Sequence, residues 1–339
     1  MTSKQSLNID PLRGTKYDFP RDHVGFGRHA PNPAWPKGAK IALSFVINYE
    51  EGAERTPLNG DAQSENHLWE QSNIAPRMGE RAANSESDYD YGSRRGVWRL
   101  LDLFEAQNLP VTVYAVGMAL EKNPEVARAC IAGGHEIASH GYRWIDYHSV
   151  GAENEKLYIQ RQMECLKTLT GEYPVGWYCG RLSPYSRALI HEVHEELETP
   201  LLWEADSYAD DLPYWVDVPA EKESATPKGM LMIPYSYDCN DLKYHSPQGW
   251  SSAADFTQHL KNAFDILYEE GGEGSPKMMT IALHCRISGK PGRAKAMKEF
   301  VEYVQQKKGF GWPPAGRSPY ISAASSPTDR GSSFSVLSS

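Results

Sequence analysis

Short apolar runs alternate with helical patterns along most of this chain, and this alternation limits its possible folds more than any other feature. Ile41-Ala-Leu-Ser-Phe-Val-Ile-Asn48 and Val111-Thr-Val-Tyr-Ala-Val116 are continuous apolar runs, as strands buried on both faces require. Between them, apolar residues recur at helical spacing from Val97 to Phe104. Strands and helices that alternate in this way form βα units around a parallel sheet. With this many units in one chain, we expect a barrel rather than an open sheet.

The barrel is predicted as a single domain with an arm, an insertion and a tail. The same reading predicts further strands near residues 135–139, 175–178, 230–233 and 278–283, and further helices near residues 124–132, 153–169, 185–196, 256–267 and 293–307. Residues 1–38 form an irregular N-terminal arm, and residues 39–308 form the barrel. Residues 51–90 are a polar insertion suited to a lid or a subunit contact. Residues 309–339, rich in Ser, Pro and Gly, are predicted to be a flexible tail.

Composition excludes several classes of protein. The chain has 35 Lys and Arg against 44 Asp and Glu, a net charge of −9, which argues against nucleic acid as a partner. It contains no apolar run long enough for a transmembrane helix, so we expect no membrane partner. The first residues lack the apolar core of a signal peptide, and the five cysteines form no C-x-x-C pair. We therefore expect a cytoplasmic protein with reduced thiols.

The run Ser139-His-Gly-Tyr-Arg-Trp144 contains the first half of a metal site and lacks the second half. A His-x-x-x-His spacing would place two imidazoles on one face of a helical turn, where both can bind one Zn²⁺. Trp144 occupies the second position here, and an indole N–H can only donate a hydrogen bond. The run therefore indicates a metallohydrolase scaffold that has lost its metal.

Other charged residues directly follow the predicted strands. They are Glu50 with Glu51, His140, Arg181 and His284. Taken singly, each has a plainer interpretation as a solvated carboxylate, a structural histidine or a surface ion pair. In α/β barrels, however, active-site residues lie where strands end. Their shared location therefore favours one site.

The order of these motifs resembles the NodB-homology polysaccharide deacetylases. In that family an acidic pair supplies a catalytic base and a metal ligand, and a His-x-x-x-His loop completes the metal site. An Arg motif, an acidic segment and a Leu-x-His follow. Matched residue by residue, Glu50 falls at the base and Glu51 at the carboxylate ligand. His140 falls at the first histidine and Arg181 at the Arg motif. Asp206 falls in the acidic segment, and Leu283-His284 is the last motif.

Three departures from that pattern point to a closer resemblance. Both aspartates of the acidic pair are glutamates here, and the second histidine is Trp144. The chain is similar to the deacetylase-type, metal-independent allantoinases over roughly residues 17–308. The resemblance rests on the runs Phe45-Val-Ile-Asn-Tyr-Glu-Glu-Gly52, Tyr91-Gly-Ser-Arg-Arg-Gly-Val-Trp98, Ser139-His-Gly-Tyr-Arg-Trp-Ile-Asp-Tyr147, Asp210-Asp-Leu-Pro-Tyr-Trp215 and Leu283-His-Cys-Arg-Ile287.

This resemblance implies a NodB-type distorted (β/α) barrel, a homo-oligomer, expected to be a tetramer, and the opening of allantoin to allantoate. Opening a cyclic amide needs an activated water, a stabilised oxyanion and a proton for the leaving nitrogen. Glu50 is the candidate base, with Glu51 as the like-charged neighbour that drives one pKa upward. Arg181 would orient a carboxylate, and His284 would protonate the nitrogen. His140 would hydrogen-bond the substrate or the tetrahedral intermediate.

Five residues are candidates for substrate binding. Trp144 would fill the metal cavity and offer a flat face to a flat ring. Tyr142, Arg143 and Arg94 would contact the ring or the ureido arm, although surface ion pairs are the plainer interpretation for the arginines. Asp206 either acts in the site or serves as a helix cap or solvated loop residue. We expect a small-molecule substrate and neither a metal nor another cofactor.

Two alternatives stay open. The broader family implies an N-deacetylase of chitin or another polysaccharide. The other alternative is a catalytically impaired homologue, because Gly309-Phe-Gly-Trp-Pro-Pro314 leads into Ser-rich sequence where the family has a closing strand and helix.

Overall fold

The apolar runs form one sheet in which neighbouring strands are parallel except for a single antiparallel pair. The computed structural model describes residues 10–71, 74–219 and 228–311. In this part of the chain the sheet order is β6-β7-β5-β4-β3-β2-β1-β8, with β6 antiparallel to β7. The strands are β1 (Ile41–Tyr49), β2 (Thr112–Ala115), β3 (Glu136–Ser139), β4 (Gly176–Trp177), β5 (Trp203–Glu204), β6 (Tyr214–Asp217), β7 (Gly229–Met232), β8 (Lys277–His284) and β9 (Phe310–Gly311). The predicted strand order along the chain is therefore correct, with β5, β6 and β9 added.

Helices connect most of these strands. They are α1 (Ala83–Tyr91), α2 (Val97–Glu105), α3 (Gly117–Lys122), α4 (Pro124–Ala132), α5 (Ala152–Thr170), α6 (Ser186–Glu196), α7 (Ala253–Gly272) and α8 (Pro291–Gln305). A π-helical turn (Gly92–Gly96) joins α1 to α2. None of the described helices has the length and apolar composition to cross a bilayer.

The sheet is strongly curled. Tyr114 on β2 contacts Trp203 on β5, with ring centres 5.9 Å apart, and Tyr235 beyond β7, at 5.8 Å. On a flat sheet, strands three positions apart would be about 14 Å apart. At the other edge, Ala282 of β8 pairs with Asn240, which lies in the connection between β7 and α7. The connection after β7 thus lies beside β8 and narrows the gap between the two sheet edges.

The outer face of the sheet carries the main hydrophobic core. Phe45 on β1 packs against Phe104 of α2, at 5.0 Å, and Phe300 of α8, at 6.4 Å. Phe264 of α7 in turn contacts Phe300 at 6.3 Å. All four rings are buried, so these helices fix β1 from behind. The residues that follow β1 therefore have a rigid support.

Two of the predicted segments contain regular secondary structure. The insertion at residues 51–90 contains most of α1. The tail predicted to begin at residue 309 contains β9, which pairs with the first two residues of β1 in parallel. Because β8 pairs with the same residues of β1, β9 must occupy the opposite edge of that strand. A two-residue strand is therefore present at the start of the predicted tail, and the rest of that tail, residues 312–339, lies outside the described residues.

Candidate active site

The carboxyl ends of three strands bring the central residues of the site together. Glu50 and Glu51 follow β1 directly, His140 follows β3, and His284 is the last residue of β8. β1 and β8 are adjacent, with Asn48 opposite His284 in the parallel register. Because parallel strands end at the same edge of a sheet, the predicted acidic pair and both predicted histidines meet there.

Glu50 is the centre of this group and is 1% exposed. Its Oε1 atom lies 3.1 Å from Nε2 of His140 and 3.4 Å from Nε2 of His284. Its Oε2 atom accepts a hydrogen bond of 2.7 Å from Nη1 of Arg286. One buried carboxylate is thus surrounded by three nitrogen-bearing side chains.

The two neighbouring glutamates have pKa values displaced in opposite directions. Burial favours the neutral carboxyl of Glu50, but the charges of Arg286 and His284 outweigh it, so the pKa of Glu50 lies well below its usual range. Burial raises the pKa of Glu51 to about 7, with Glu50 adding to the effect and Arg286 opposing it. The predicted separation of the pair is therefore present, and Glu51 carries the raised pKa.

Glu51 faces away from the histidines. Its Oε2 atom accepts from the backbone N–H of Glu50 at 3.0 Å, and its Oε1 atom accepts from the backbone N–H of Arg286 at 3.1 Å. A Cβ atom on Gly92 would lie 2.2 Å from Oε1 of Glu51, so a glycine is needed at that point of the π-helical turn. Glu51 therefore joins β1, β8 and the π-helical turn at the base of the site.

His284 lies between two carboxylates. Its Nδ1 atom is 2.7 Å from Oδ1 of Asp241, and its backbone N–H donates to Oδ2 of the same residue at 2.8 Å. Burial disfavours the imidazolium, but the charges of Glu50 and Asp241 outweigh this and raise the pKa of His284 to about 9. His284 is therefore a cation at neutral pH.

His140 is oriented by a backbone carbonyl. Its Nδ1 atom lies 3.0 Å from the carbonyl oxygen of Tyr178. A carbonyl can only accept, so Nδ1 carries a proton and Nε2 is the nitrogen that faces Glu50. The ring packs against the side chain of Tyr178, with ring centres 5.1 Å apart.

Arg181 pairs with a carboxylate outside the acidic pair that it was predicted to orient. Its Nη1 atom donates to Oε2 of Glu65 in the insertion, at 3.0 Å. Its guanidinium lies 5.0 Å from the ring centre of Trp144. The cation beside Glu50 is Arg286 instead, because the turn after β8 folds Arg286 back toward β1.

Trp144 occupies the predicted place, but guanidinium groups lie against its ring. It is 4% exposed, and Arg286 lies 4.9 Å from its ring centre in addition to Arg181. The imidazole of His67, an exposed residue of the insertion, lies 5.8 Å away and nearly parallel to the indole. The predicted flat face therefore stacks on cations and on a second ring of the protein.

Three residues predicted to bind substrate have other partners. Tyr142 donates to the carboxylate of Glu121 at 2.8 Å. Arg143 is buried and donates to Asp61 at 2.6 Å and to the carbonyl of Ala53 at 3.2 Å, so it anchors the insertion. The carboxylate of Asp206 accepts from the backbone N–H groups of residues 179 and 180, both at 2.6 Å. These contacts shape the walls of the site, and the substrate-binding roles of Tyr142 and Arg143 stay predictions.

Arg94 also lies away from the acidic pair. It is exposed on the π-helical turn, and the structure gives its side chain no contact with the other site residues among those described. Its predicted role in substrate binding is not supported by this position.

Sequence reasoning missed two residues that contact the centre of the site, Arg286 and Asp241. Arg286 stands inside the run Leu283-His-Cys-Arg-Ile287, so the proximity to His284 was a usable signal. Asp241 comes from the connection between β7 and α7, and no spacing in the sequence relates it to His284. Only the pairing of Asn240 with β8 brings it there.

The residues at the matched metal positions do not fit a metal ion. Trp144 offers no lone pair, and both carboxylate oxygens of Glu51 accept backbone N–H groups. Nη1 of Arg286 lies 3.5 Å from Oε1 of Glu51, where its charge would repel a divalent cation. The donor set and the local charge therefore both disfavour a metal at this point.

Elsewhere in the described residues, three side-chain ligand atoms lie within 4.8 Å of one another only at Asp238, Cys239 and His259. There the Asp238 carboxylate is already paired with Nε2 of His259 and Nζ of Lys243, each at 2.9 Å. An ion-pair network accounts for that cluster.

Comparisons with known proteins show to which family the chain is similar. A family model described as polysaccharide deacetylase matches residues 86–197. A protein of Schizosaccharomyces pombe (strain 972 / ATCC 24843), named as a candidate polysaccharide deacetylase, is 42% identical over 295 residues, which cover 85% of this chain and 92% of that protein.

Two crystal structures are similar over most of the chain. The Puue allantoinase is 46% identical with a TM-score of 0.82, and the match covers 91% of this chain and 96% of that chain. A candidate polysaccharide deacetylase from Pseudomonas aeruginosa PAO1 is also 46% identical, with a TM-score of 0.81 and coverage of 90% and 97%. These matches confirm the predicted distorted (β/α) barrel of NodB type and the predicted resemblance.

Proposed function

The chain belongs to the polysaccharide deacetylase family, and from this premise we propose that it is a metal-independent hydrolase that opens the hydantoin ring of allantoin to allantoate. The fold and family are those of hydrolases of carbon–nitrogen bonds. One observation carries the finer proposal. The Glu50 carboxylate is held between His140, His284 and Arg286, and these groups supply an acid, a base and fixed positive charge. The likeness to the Puue allantoinase supports allantoin as the substrate.

His284 is the proposed general acid. Amide hydrolysis needs a proton for the nitrogen that leaves, and an imidazolium is a suitable donor. Asp241 fixes the Nδ1 side of the ring, so the Nε2 proton faces Glu50 and the rest of the site. Because the pKa of His284 is raised to about 9, this proton is present throughout the neutral range.

Glu50 is the proposed general base. It is ionised at neutral pH because its pKa is lowered by Arg286 and His284 against the effect of burial. As the oxygen of water bonds to the ring carbonyl, one water proton moves to Oε1 of Glu50. The C–N bond then breaks as His284 protonates the nitrogen. The proton on Glu50 returns to Nε2 of His284, 3.4 Å away, and restores both groups.

His140 is proposed to stabilise the tetrahedral intermediate. Its Nδ1–H is committed to the Tyr178 carbonyl, so Nε2 is the atom available to substrate. To donate to the developing oxyanion, Nε2 must carry a proton as well, and the Glu50 carboxylate 3.1 Å away, which can only accept, favours a proton there. A hydrogen bond of this kind from a buried, fixed donor is worth about 3–4 kcal/mol of barrier lowering. Glu50 orients this nitrogen in the resting protein.

Arg181 is the proposed substrate contact at the rim of the site. Its side chain is 22% exposed and lies against Trp144, so its remaining N–H groups can reach a ligand above the indole. Carbonyl oxygens of a planar ureide are suitable acceptors for a guanidinium. His67 lies beside the same indole and forms a second part of this rim.

Other features of the protein are proposed on the same basis. We propose a homotetramer in the cytoplasm that acts on a small molecule, without nucleic acid or membrane partners. The net charge of −9 argues against a nucleic-acid partner, and the exposed apolar side chains of the insertion suit a subunit contact.

A direct comparison of substrates tests the proposed reaction. Purified protein is incubated with allantoin and, separately, with chitin oligomers, and both allantoate and acetate are measured. We expect allantoate from the wild type, none above background from His284→Ala, and no acetate. Acetate without allantoate would favour an N-deacetylase, the activity that the names of two relatives suggest. Neither product would favour an impaired homologue.

A further inference from the structure

Arg286 is fully buried at the centre of the site, yet the residue-by-residue match to the deacetylase motifs gives it no role. Its side chain is 0% exposed. Nη1 donates to Oε2 of Glu50 at 2.7 Å and lies 3.5 Å from Oε1 of Glu51. Nε donates to the carbonyl of Leu68 in the insertion at 2.8 Å. The guanidinium therefore contacts both carboxylates and is itself fixed by the insertion.

Two aromatic rings lie against the guanidinium. The guanidinium carbon lies 4.3 Å from the ring centre of Tyr89 and 4.9 Å from that of Trp144. Ring faces attract cations, and the attraction is stronger where water is excluded. Trp144, which stands where the metal-site pattern has its second histidine, thus helps to bind a cation that belongs to the chain.

The charge of Arg286 offsets the repulsion between the two carboxylates of the acidic pair. Glu50 and Glu51 are adjacent and both buried, so their charges repel each other at low dielectric. A buried carboxylate is stable only when it is paired and hydrogen-bonded. Of the described cations, Arg286 is the one within 4 Å of both carboxylates.

We propose that Arg286 is the positioning residue of the site, and that its guanidinium supplies between Glu50 and Glu51 the positive charge that a metal ion supplies in the metal-dependent pattern. This inference rests on the proposed function for its catalytic consequence but not for its geometry. Arg286 fixes the Oε2 side of Glu50, which leaves Oε1 directed at His140 and His284. Lysine cannot replace it fully, because an ammonium lacks the planar fork that bonds Leu68 and Glu50 while stacking on two rings.

Arg293 provides a matched control. It pairs with Glu70 at 2.7 Å and lies 4.6 Å from the ring centre of Tyr244, so it also combines a carboxylate with an aromatic ring. Its partner Glu70 is 37% exposed and lies outside the site. A substitution at Arg293 reports the loss of an arginine without the loss of the positioned Glu50.

Kinetics of Arg286→Lys, Arg286→Ala and Arg293→Met give the first test. We expect kcat for allantoin to fall by roughly 10²-fold or more in Arg286→Ala, with KM changed by less than about threefold, because the lost contact acts on Glu50 and not on substrate. Guanidinium ion added to Arg286→Ala should restore part of kcat, and Arg293→Met should stay within about twofold of wild type. A kcat near wild type in Arg286→Ala, or a loss confined to KM, would overturn the proposal.

A stability cycle tests the same cation without any substrate. Unfolding of Arg286→Met, Glu50→Gln and the double variant is followed by denaturant. Arg286→Met should be destabilised because it leaves a buried charge unpaired, and adding Glu50→Gln should recover part of that loss. Simple addition of the two losses would contradict the proposal. If the wild type does not hydrolyse allantoin but Glu50→Gln recovers part of the stability lost in Arg286→Met, the proposed function is wrong. The proposed role of Arg286 as an internal cation is then still supported.

Discussion

At the scale of single residues, Oε1 of Glu50 is the point on which the site converges, since two imidazole nitrogens lie 3.1 and 3.4 Å from it. Each imidazole is held on its other side by a different acceptor, the Tyr178 carbonyl for His140 and the Asp241 carboxylate for His284. The two rings therefore cannot exchange roles. The structure favours His284 as the acid because only its outer acceptor is charged.

The first prediction concerns Glu50. Glu50→Gln should lower turnover of allantoin by roughly 10²–10⁴-fold, because a neutral amide cannot accept the proton of water. Glu155→Gln is the matched control, since Glu155 is also 1% exposed and bonded by side chains, but its partners are Ser183 and Ser186 at the start of α6. A Glu50 variant within about fivefold of wild type would show that the base lies elsewhere.

The second prediction uses the raised pKa of His284. The acid must be protonated, so kcat/KM should fall as pH rises through about 9. Asp241→Asn removes one of the two carboxylates that favour the imidazolium of His284. The basic limb of the kcat/KM–pH profile should therefore move to lower pH. Asp238→Asn, which breaks a similar His–Asp pair with His259 at the surface, should leave the limb in place. An unchanged limb in Asp241→Asn would contradict the assignment of His284.

At the scale of the elements, the ends of β1 and β8 are locked together by close backbone approach. The π-helical turn passes so near the end of β8 that a Cβ atom on Gly96 would lie 2.0 Å from the carbonyl oxygen of Cys285. Cys285 precedes Arg286, so this contact helps to set the cation beside Glu50. The geometry of the site therefore depends on two glycines of this turn, Gly92 and Gly96.

The third prediction follows from that contact. Gly96→Ala should lower the free energy of unfolding by about 1–3 kcal/mol, the usual cost of overpacking, and should also reduce activity. Gly292→Ala, at the start of α8, meets no atom within 4 Å and should not be destabilised. Denaturant unfolding of both variants measures this difference. Equal stabilities would show that the turn moves freely.

The sequence predicted strands better than it predicted the insertion, for a physical reason. Buried parallel strands are continuous apolar runs, whereas α1 buries only Ser85 and Tyr89 and has no apolar stripe. Its helix is held by tertiary bonds, from Ser85 to the carbonyl of Glu65 and from Tyr89 to the carbonyl of His67. The spacing of apolar residues along the sequence cannot predict such contacts.

The residues of the candidate site could likewise be predicted only in part from the sequence. Glu50, His140 and His284 were predicted because each follows a strand, and parallel strands end together. Arg286 and Asp241 approach the site through a turn and through a bridge between segments far apart in the chain, and such contacts depend on the folded path.

At the scale of the whole molecule, the insertion covers the site on one side and exposes apolar side chains on the other. Arg143, Arg181 and Arg286 each bond to it from the barrel. Its outward residues Leu58 and Met78 are 66% and 70% exposed. An apolar surface on a well-anchored segment suits a subunit contact.

The fourth prediction is that this surface mediates assembly. Light scattering should give the mass of a tetramer for the wild type and a smaller species for Leu58→Glu. Leu157→Glu, on α5, is the control because Leu157 is 61% exposed outside the insertion. A wild-type monomer would contradict the proposed tetramer, and an equal effect of both variants would place the contact elsewhere.

The central claim is that this barrel hydrolyses a cyclic amide with side chains alone. The most direct measurement is the rate of allantoin opening by protein that has been exhaustively chelated and shown by elemental analysis to hold far less than one metal ion per chain. We expect allantoate to form at the untreated rate and added Zn²⁺ or Co²⁺ to give no increase. Loss of activity on chelation, with recovery when either metal is restored, would contradict it.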